Sequence, residues 1–296
     1  MYEQIEANRR RTNRLLFLFI GFFAAAGWIV GLVNGDQGAG LIFALLISIG
    51  STVFSWFLGD KVVLWSSGAQ EITAREQNTY VWNLVENLCI ASGMPRPRIY
   101  LVSDPAMNAF ATGRDPMHAS IALTTGIVQG LENEELEGVI AHELSHVKNL
   151  DTRYMMVVAV LVGALSLLGD MFLRGGFRRR SDREEGGGLL MVLGIVFIII
   201  SPLVGQLIKL AISREREYLA DASGALLTRY PEGLARALEK IAVAATPMQN
   251  VSQATAHLWI ANPLGETRGI RSKIGALFST HPPVLERIAR LRAAGR

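Results

Sequence analysis

The chain has 296 residues, a formal net charge of +3 and a mean hydropathy of +0.29, and half of its residues are hydrophobic. Apolar residues gathered into long uncharged runs argue against an ordinary soluble enzyme, and the small net charge argues against a nucleic-acid-binding face. The sequence pI of about 9.2 reflects arginine clusters beside those runs. One cysteine, Cys89, excludes an internal disulfide and suits a reducing compartment.

Met1 to Arg14 is polar and carries Arg9, Arg10, Arg11 and Arg14. The uncharged run Leu15 to Val33 follows. At about 1.5 Å per residue it nearly spans a hydrocarbon core of about 30 Å. Cleavage after Ala24 to Ala26 is the rival reading, but the apolar run continues through Trp28 to Val33. A polar turn, Asn34 to Gln37, leads into a second uncharged run, Gly38 to Leu58. The two runs predict a membrane hairpin. The arginines before the first run place the N-terminus in the cytoplasm by the positive-inside rule, so the chain returns there at Asp60.

Lys61 to Arg153 reads as a soluble α+β segment. A helix is expected over Arg75 to Ser92, packed through Val81, Leu84, Val85 and Leu88 and ended by Met94-Pro95-Arg96-Pro97. A short strand is expected at Arg98 to Val102. Met107 to Gly113 and His118 to Leu123 read as a strand pair joined by the turn Arg114-Asp115-Pro116. Next comes a helix over Leu131 to Leu150, with Asn133 able to cap it, acids in its first turns, and Leu136, Val139, Ile140 and Leu144 on one face.

That helix carries HELSH. His142 and His146 are four residues apart, so both imidazoles lie on one face and can meet one metal ion. Glu143 can reach a water held by that ion, as a general base must. H-E-x-x-H is the zinc-metalloprotease pattern. Catalytic zinc takes three protein ligands and keeps a position for water. A third histidine shortly downstream is absent, since 149–153 reads NLDTR. A Glu from a second helix is the other common solution. Glu217 is the best candidate, because Asp221 shares its helix face and can hold a histidine ring nitrogen. Glu215 competes but has no acidic partner at that spacing.

Beyond the helix, Tyr154 to Leu173 and Leu189 to Ile208 are further apolar runs, separated by the Gly/Arg/Glu-rich stretch Arg174 to Gly188. The histidines precede both runs and Glu217 follows them, so an even number of crossings is required. The lengths predict four spanning helices, although the arginines of the intervening loop run against the positive-inside rule. Helices are expected around Ser213 to Tyr230, over Pro231 to Ala244, and at the end through Arg290.

With HELSHVKN, SREREYLAD and STHPP (Ser279 to Pro283) on the page, the chain resembles the HtpX family of membrane-bound zinc metalloproteases, relatives of the CAAX prenyl endopeptidases. The resemblance covers essentially the whole chain. It implies a mainly α fold with a small β-sheet: an integral membrane protein with transmembrane helices plus a cytoplasmic α+β zincin-like catalytic domain. The implied parts are 1–60 (N-terminal stub and hairpin), 61–153 (first catalytic part), 154–208 (second hairpin) and 209–296 (second catalytic part). It implies one Zn2+ held by His142, His146 and Glu217, with Glu143 as base and Asp221 behind a ligand. His281 and Arg287 match a His/Arg pair completing the relatives' site. Asn108, Ala109 and Phe110 match a strand edge lining the substrate cleft. The implied setting is the inner membrane, as a multi-pass protein with its active site facing the cytoplasm. The implied partners are the bilayer and misfolded or damaged membrane proteins or unfolded segments, cut as quality control under stress, with no nucleic acid.

Other classes fit less well. A scaffold with structural zinc closes its site with four ligands and has no use for Glu143. A transporter would need more than Asp170, Pro202 and Gln206 inside its apolar runs. A prenyl endopeptidase, the runner-up within the enzymes, needs more apolar wall than four runs offer.

Overall fold

The structure is a computed structural model and describes residues 2–33, 35–163, 214–244, 246–249, 251, 254–263 and 282–295. The stretch Arg174 to Gly188, the run Leu189 to Ile208 and His281 lie outside the described residues.

Two long helices, α1 (Tyr2–Val33) and α2 (Gln37–Ser66), form the hairpin. Both are long and apolar enough to cross a membrane, over Ile5–Ile29 and Gln37–Ser66, and only 17% of the most apolar window of each is buried. Such surface needs lipid or another apolar cover, unlike the core helix of a soluble protein. The turn is local chemistry: Gly35 adopts φ +80, and the Asp36 carboxylate accepts from Ala39 N at 2.9 Å, capping α2. The helices approach closely because Gly27 and Gly40 face each other; a Cβ on either would collide with the partner helix. Helix α2 runs past Asp60 to Ser66.

The sheet has the order β1-β2-β4-β3, from β1 (Ala69–Ile72), β2 (Arg98–Val102), β3 (Ala109–Gly113) and β4 (Ala119–Thr124). β1 pairs antiparallel with β2, β2 parallel with β4, and β4 antiparallel with β3. Helix α3 (Thr79–Ser92) follows a 3-10 turn at Arg75–Gln77. The helix begins later than its apolar spacing suggests because Asn78 caps it, accepting from Val81 N at 3.0 Å. Then come α4 (Thr125–Gly130), α5 (Asn133–Lys148), α6 (helical over 151–163), α7 (Arg214–Thr228), α8 (Pro231–Ala244) and α9 (Val284–Ala294).

Alternation along the strands sends side chains to two different covers. Ile99, Ala109, Ile121 and Leu123 pack with α3, α5 and α8 through Val85, Leu136, Ile140, Leu144 and Leu238. Tyr100, Phe110 and Ala122 face the other way, onto Val63 and Leu64 of α2, Met155 and Ala159 of α6, and Trp259. The end of the second span is therefore one cover of the sheet, which explains why β3 and β4 are buried on both faces.

Helix α5 starts one residue earlier than expected from Asn133. Glu132 is the N-cap, and the Glu135 carboxylate accepts from its N–H at 2.8 Å while Lys240 Nζ holds that carboxylate at 2.7 Å. The helix ends at Lys148 rather than reaching Leu150, because Leu150 takes φ 59. That left-handed residue swings the chain from α5 into α6, and its effect reaches the site.

Candidate metal centre

His142 and His146 project from the buried middle of α5, one turn apart. Glu217 comes from the first turn of α7. Close helix contact brings them together: Gly224 lies over α5, where a Cβ would sit 3.0 Å from the His142 backbone nitrogen. Any side chain there would push α7, and Glu217 with it, away from the histidines.

The two Nε2 atoms are 3.2 Å apart. Glu217 Oε1 lies 3.5 Å from His146 Nε2, and Oε2 lies 3.8 Å from His142 Nε2. One ligand atom from each of the three residues falls within 4.8 Å of the others, and all three residues are buried. In a tetrahedral zinc site with Zn–N of about 2.0–2.1 Å, ligand atoms stand about 3.3 Å apart. The donor set and its spacing fit zinc.

The outer ring nitrogens fit it too. His142 Nδ1 lies 3.0 Å from Asp221 Oδ1, and His146 Nδ1 lies 3.0 Å from Asp151 Oδ2. In the tautomer with both protons on Nδ1, beside these carboxylates, both Nε2 atoms would turn lone pairs toward the space between them and Glu217, an arrangement that suits a cation. Electrostatics say the same. Burial alone lowers the His146 pKa, but the Asp151 and Glu217 carboxylates outweigh it and hold the imidazole well above its ordinary value. Burial raises Asp221, but Arg287 and then His142 overcome this and hold its carboxyl at about 2.

Arg287, on α9, is buried behind this pair. Its Nε and Nη2 donate to the two Asp221 oxygens at 2.8 and 2.7 Å, and Nη1 stands 3.4 Å from Glu217 Oε2. Glu143 is buried beside His142, and its charge adds to the field that raises the Arg287 pKa. The structure therefore brings together His142, Glu143, His146, Glu217, Asp221 and Arg287. Glu215 is exposed, away from the histidines.

Asn108, Ala109 and Phe110 are placed differently. Asn108 Nδ2 donates to Ala261 O at 3.0 Å, its Oδ1 accepts from Ala261 N at 3.2 Å, and the Ala109 carbonyl accepts from Ile260 N at 2.9 Å. Phe110 packs edge-on against Trp259, with ring centroids 4.6 Å apart. The outer edge of β3 at this point is covered by the chain's own 259–261 segment.

Sequence reading missed Asp151 and Asn8. Five residues past His146, Asp151 would leave the histidine face of a continuous helix, and only the reversal at Leu150 returns it. Asn8 Nδ2 then donates to Asp151 Oδ1 at 2.7 Å and to Asn149 O at 2.9 Å, while Arg216 Nε stands 3.9 Å from the same carboxylate. Asp151→Asn is expected to lower zinc affinity about 10- to 100-fold, because the ring of His146 loses its charged orienting partner. Competition with a chromophoric chelator measures this, and an unchanged affinity would remove Asp151 from the site.

Comparison with known proteins gives a family and a fold. The family model described as Peptidase family M48 matches residues 75–294. A "Protease HtpX homolog" of Tropheryma whipplei (strain Twist) is 45% identical over 299 residues, covering 100% of this chain and 99% of the relative. One from Dictyoglomus turgidum is 42% identical over 296 residues (99% and 95%), and one from Caldanaerobacter subterraneus subsp. tengcongensis is 43% identical over 300 (99% and 97%). The crystal structure of S. mikatae Ste24p shares the fold, with TM-score 0.51 at 15% identity over 98% of this chain and 67% of that one.

Proposed function

The chain belongs to peptidase family M48, among the HtpX proteases, and from that premise we propose that it is a membrane-bound, zinc-dependent endopeptidase. The observation that carries the reading is the buried His142/His146/Glu217 trio with Glu143 beside it. When bound, zinc supplies a Lewis acid that acidifies water and polarises a scissile carbonyl. The protein does the rest. Glu143 accepts the proton of the attacking water and delivers it to the leaving amine. Asp221 and Asp151 hold the two imidazoles in the tautomer that leaves Nε2 available. Arg287 fixes Asp221 through two hydrogen bonds and screens Glu217. His281, by its place in STHPP, is a donor for the developing oxyanion.

The edge of β3 is the proposed seat for an extended substrate, as Asn108, Ala109 and Phe110 suggest by resemblance. The segment at Ile260 holds Ala109 O, and Thr152 Oγ1 holds Gly113 O at 3.0 Å. Strand addition therefore centres on Ala111, whose backbone groups face the same edge. Misfolded or damaged membrane proteins are the proposed substrates, supported by two apolar helices that carry the site at a bilayer surface. The test uses the whole chain in detergent. Casein cleavage should vanish with a chelator and return with zinc. Full activity in the chelator would overturn the reading.

The proposed orientation puts the site in the cytoplasm, a reading supported by Arg9, Arg10, Arg11 and Arg14 near the start of α1. In intact cells, with Cys89→Ser as background, Gln37→Cys in the hairpin turn should react with an impermeant thiol reagent and Met117→Cys should not. The opposite pattern would invert the topology.

A further inference from the structure

A cavity of about 340 Å³ lies where α2 leaves its apolar run, against the start of β2 and the turn between β3 and β4. Lys61, Arg96, Arg98 and Arg114 line it, with Asp60 and His118 as the other ionisable groups and Trp56, Phe57 and Met156 as its apolar wall. We infer that this cavity binds the headgroup phosphate of an acidic phospholipid.

Three observations carry the inference. The first is charge. Asp60 is taken by Arg98 at 2.6 Å, and the neighbouring Asp115 by His118 at 2.7 Å and Arg114 at 3.6 Å. Lys61 and Arg96 have no carboxylate partner among the described residues, so the cavity carries an excess of positive charge that an anion would balance. Arg96 lies over the ring of Trp82, 3.8 Å from its centroid, which fixes the guanidinium without neutralising it. Arg153 lies just outside, its Nε donating to Arg114 O, with its guanidinium 5.2 Å from the Trp56 ring.

The second observation is depth. The uncharged run of α2 ends at Leu58, and Phe54, Phe57 and Leu58 present exposed apolar surface up to the rim. Arg9 stands near the same level on α1, since its neighbour Asn8 donates to Asn149 O and Asp151 Oδ1, two to four residues before Arg153. The cavity therefore opens at the height of lipid headgroups. The third is form. Phe57 both lines the cavity and faces outward, with Arg114 stacked 5.3 Å from its ring, so an acyl chain can leave along α2 while the phosphate stays among the cations. A soluble anion would gain nothing from that wall.

The inference does not rest on the metal site, and its test reads binding rather than cleavage. Full-length protein in nonionic detergent is titrated with dioctanoyl phosphatidylglycerol or dioctanoyl phosphatidylcholine and followed by native mass spectrometry. The expected result is tighter binding of phosphatidylglycerol by at least about tenfold. Removing one cation near a membrane surface weakens an anionic contact about fivefold, so Lys61→Gln with Arg96→Gln should weaken it about 25-fold. Both side chains are exposed, so the fold tolerates the change. Arg96→Lys should retain binding within about twofold, because charge is kept. Equal binding of the two lipids, or no effect of the double variant, overturns the inference. Displacement of phosphatidylglycerol by millimolar inorganic phosphate overturns the lipid assignment in favour of a soluble anion.

Discussion

Glu143→Gln should keep zinc at the wild-type level and lose proteolysis by about 10²- to 10⁴-fold, the range contributed by a positioned general base. The two readouts separate because Glu143 lies next to His142 on α5 but is not one of the three residues whose donor atoms converge. Glutamine keeps the size of the side chain, so the packing of a buried position is preserved. It cannot accept the proton of water at neutral pH. Metal analysis and a cleavage assay on the same preparation decide the matter. Normal turnover would remove Glu143 from the chemistry, and loss of zinc would make it part of the metal's support.

Glu217→Ala should lose both zinc and activity, while Glu215→Ala keeps both. The difference is one of placement. Glu217 is buried within 3.5 and 3.8 Å of the two histidine nitrogens, and removing it leaves only two ligands. The fold should survive, because Arg287 retains its two bonds to Asp221. Glu215 is exposed two residues away, where substitutions change stability by about 0.5 kcal/mol or less. Zinc content after dialysis measures the outcome. Retention by Glu217→Ala together with loss by Glu215→Ala would move the third ligand two positions along the chain.

These two residues also show what could be read in advance. A metal site on one helix face is a matter of local spacing, so His142, Glu143 and His146 are legible in five consecutive letters. Glu217 is legible because an acid four residues before another acid shares its face. The strands Arg98–Val102 and Ala119–Thr124 and the helix Pro231–Ala244 follow from alternation, helical period and a proline start. β1 was not legible, since AQEI has no alternating apolar pattern and owes its place to pairing with β2. Asp151 was hidden by a single left-handed residue, Leu150, which local propensity does not foretell. The covering of Asn108 and Ala109 depends on a contact across 153 positions of chain, from Asn108 to Ala261, beyond any local pattern.

The hydrogen bond from Asn8 to Asp151 has a consequence for how the molecule can be divided. Asp151 orients His146, and the residue that steadies Asp151 belongs to the first turns of the first membrane helix. The catalytic head is thus not a cargo hung from an interchangeable anchor. A fragment severed after the hairpin would keep His142, His146 and Glu217, the three residues whose donor atoms converge, yet lose the outermost brace of His146, and swapping in a foreign leader helix would do the same. The anchor is part of the instrument, and the position of His146 is set in part from the membrane side.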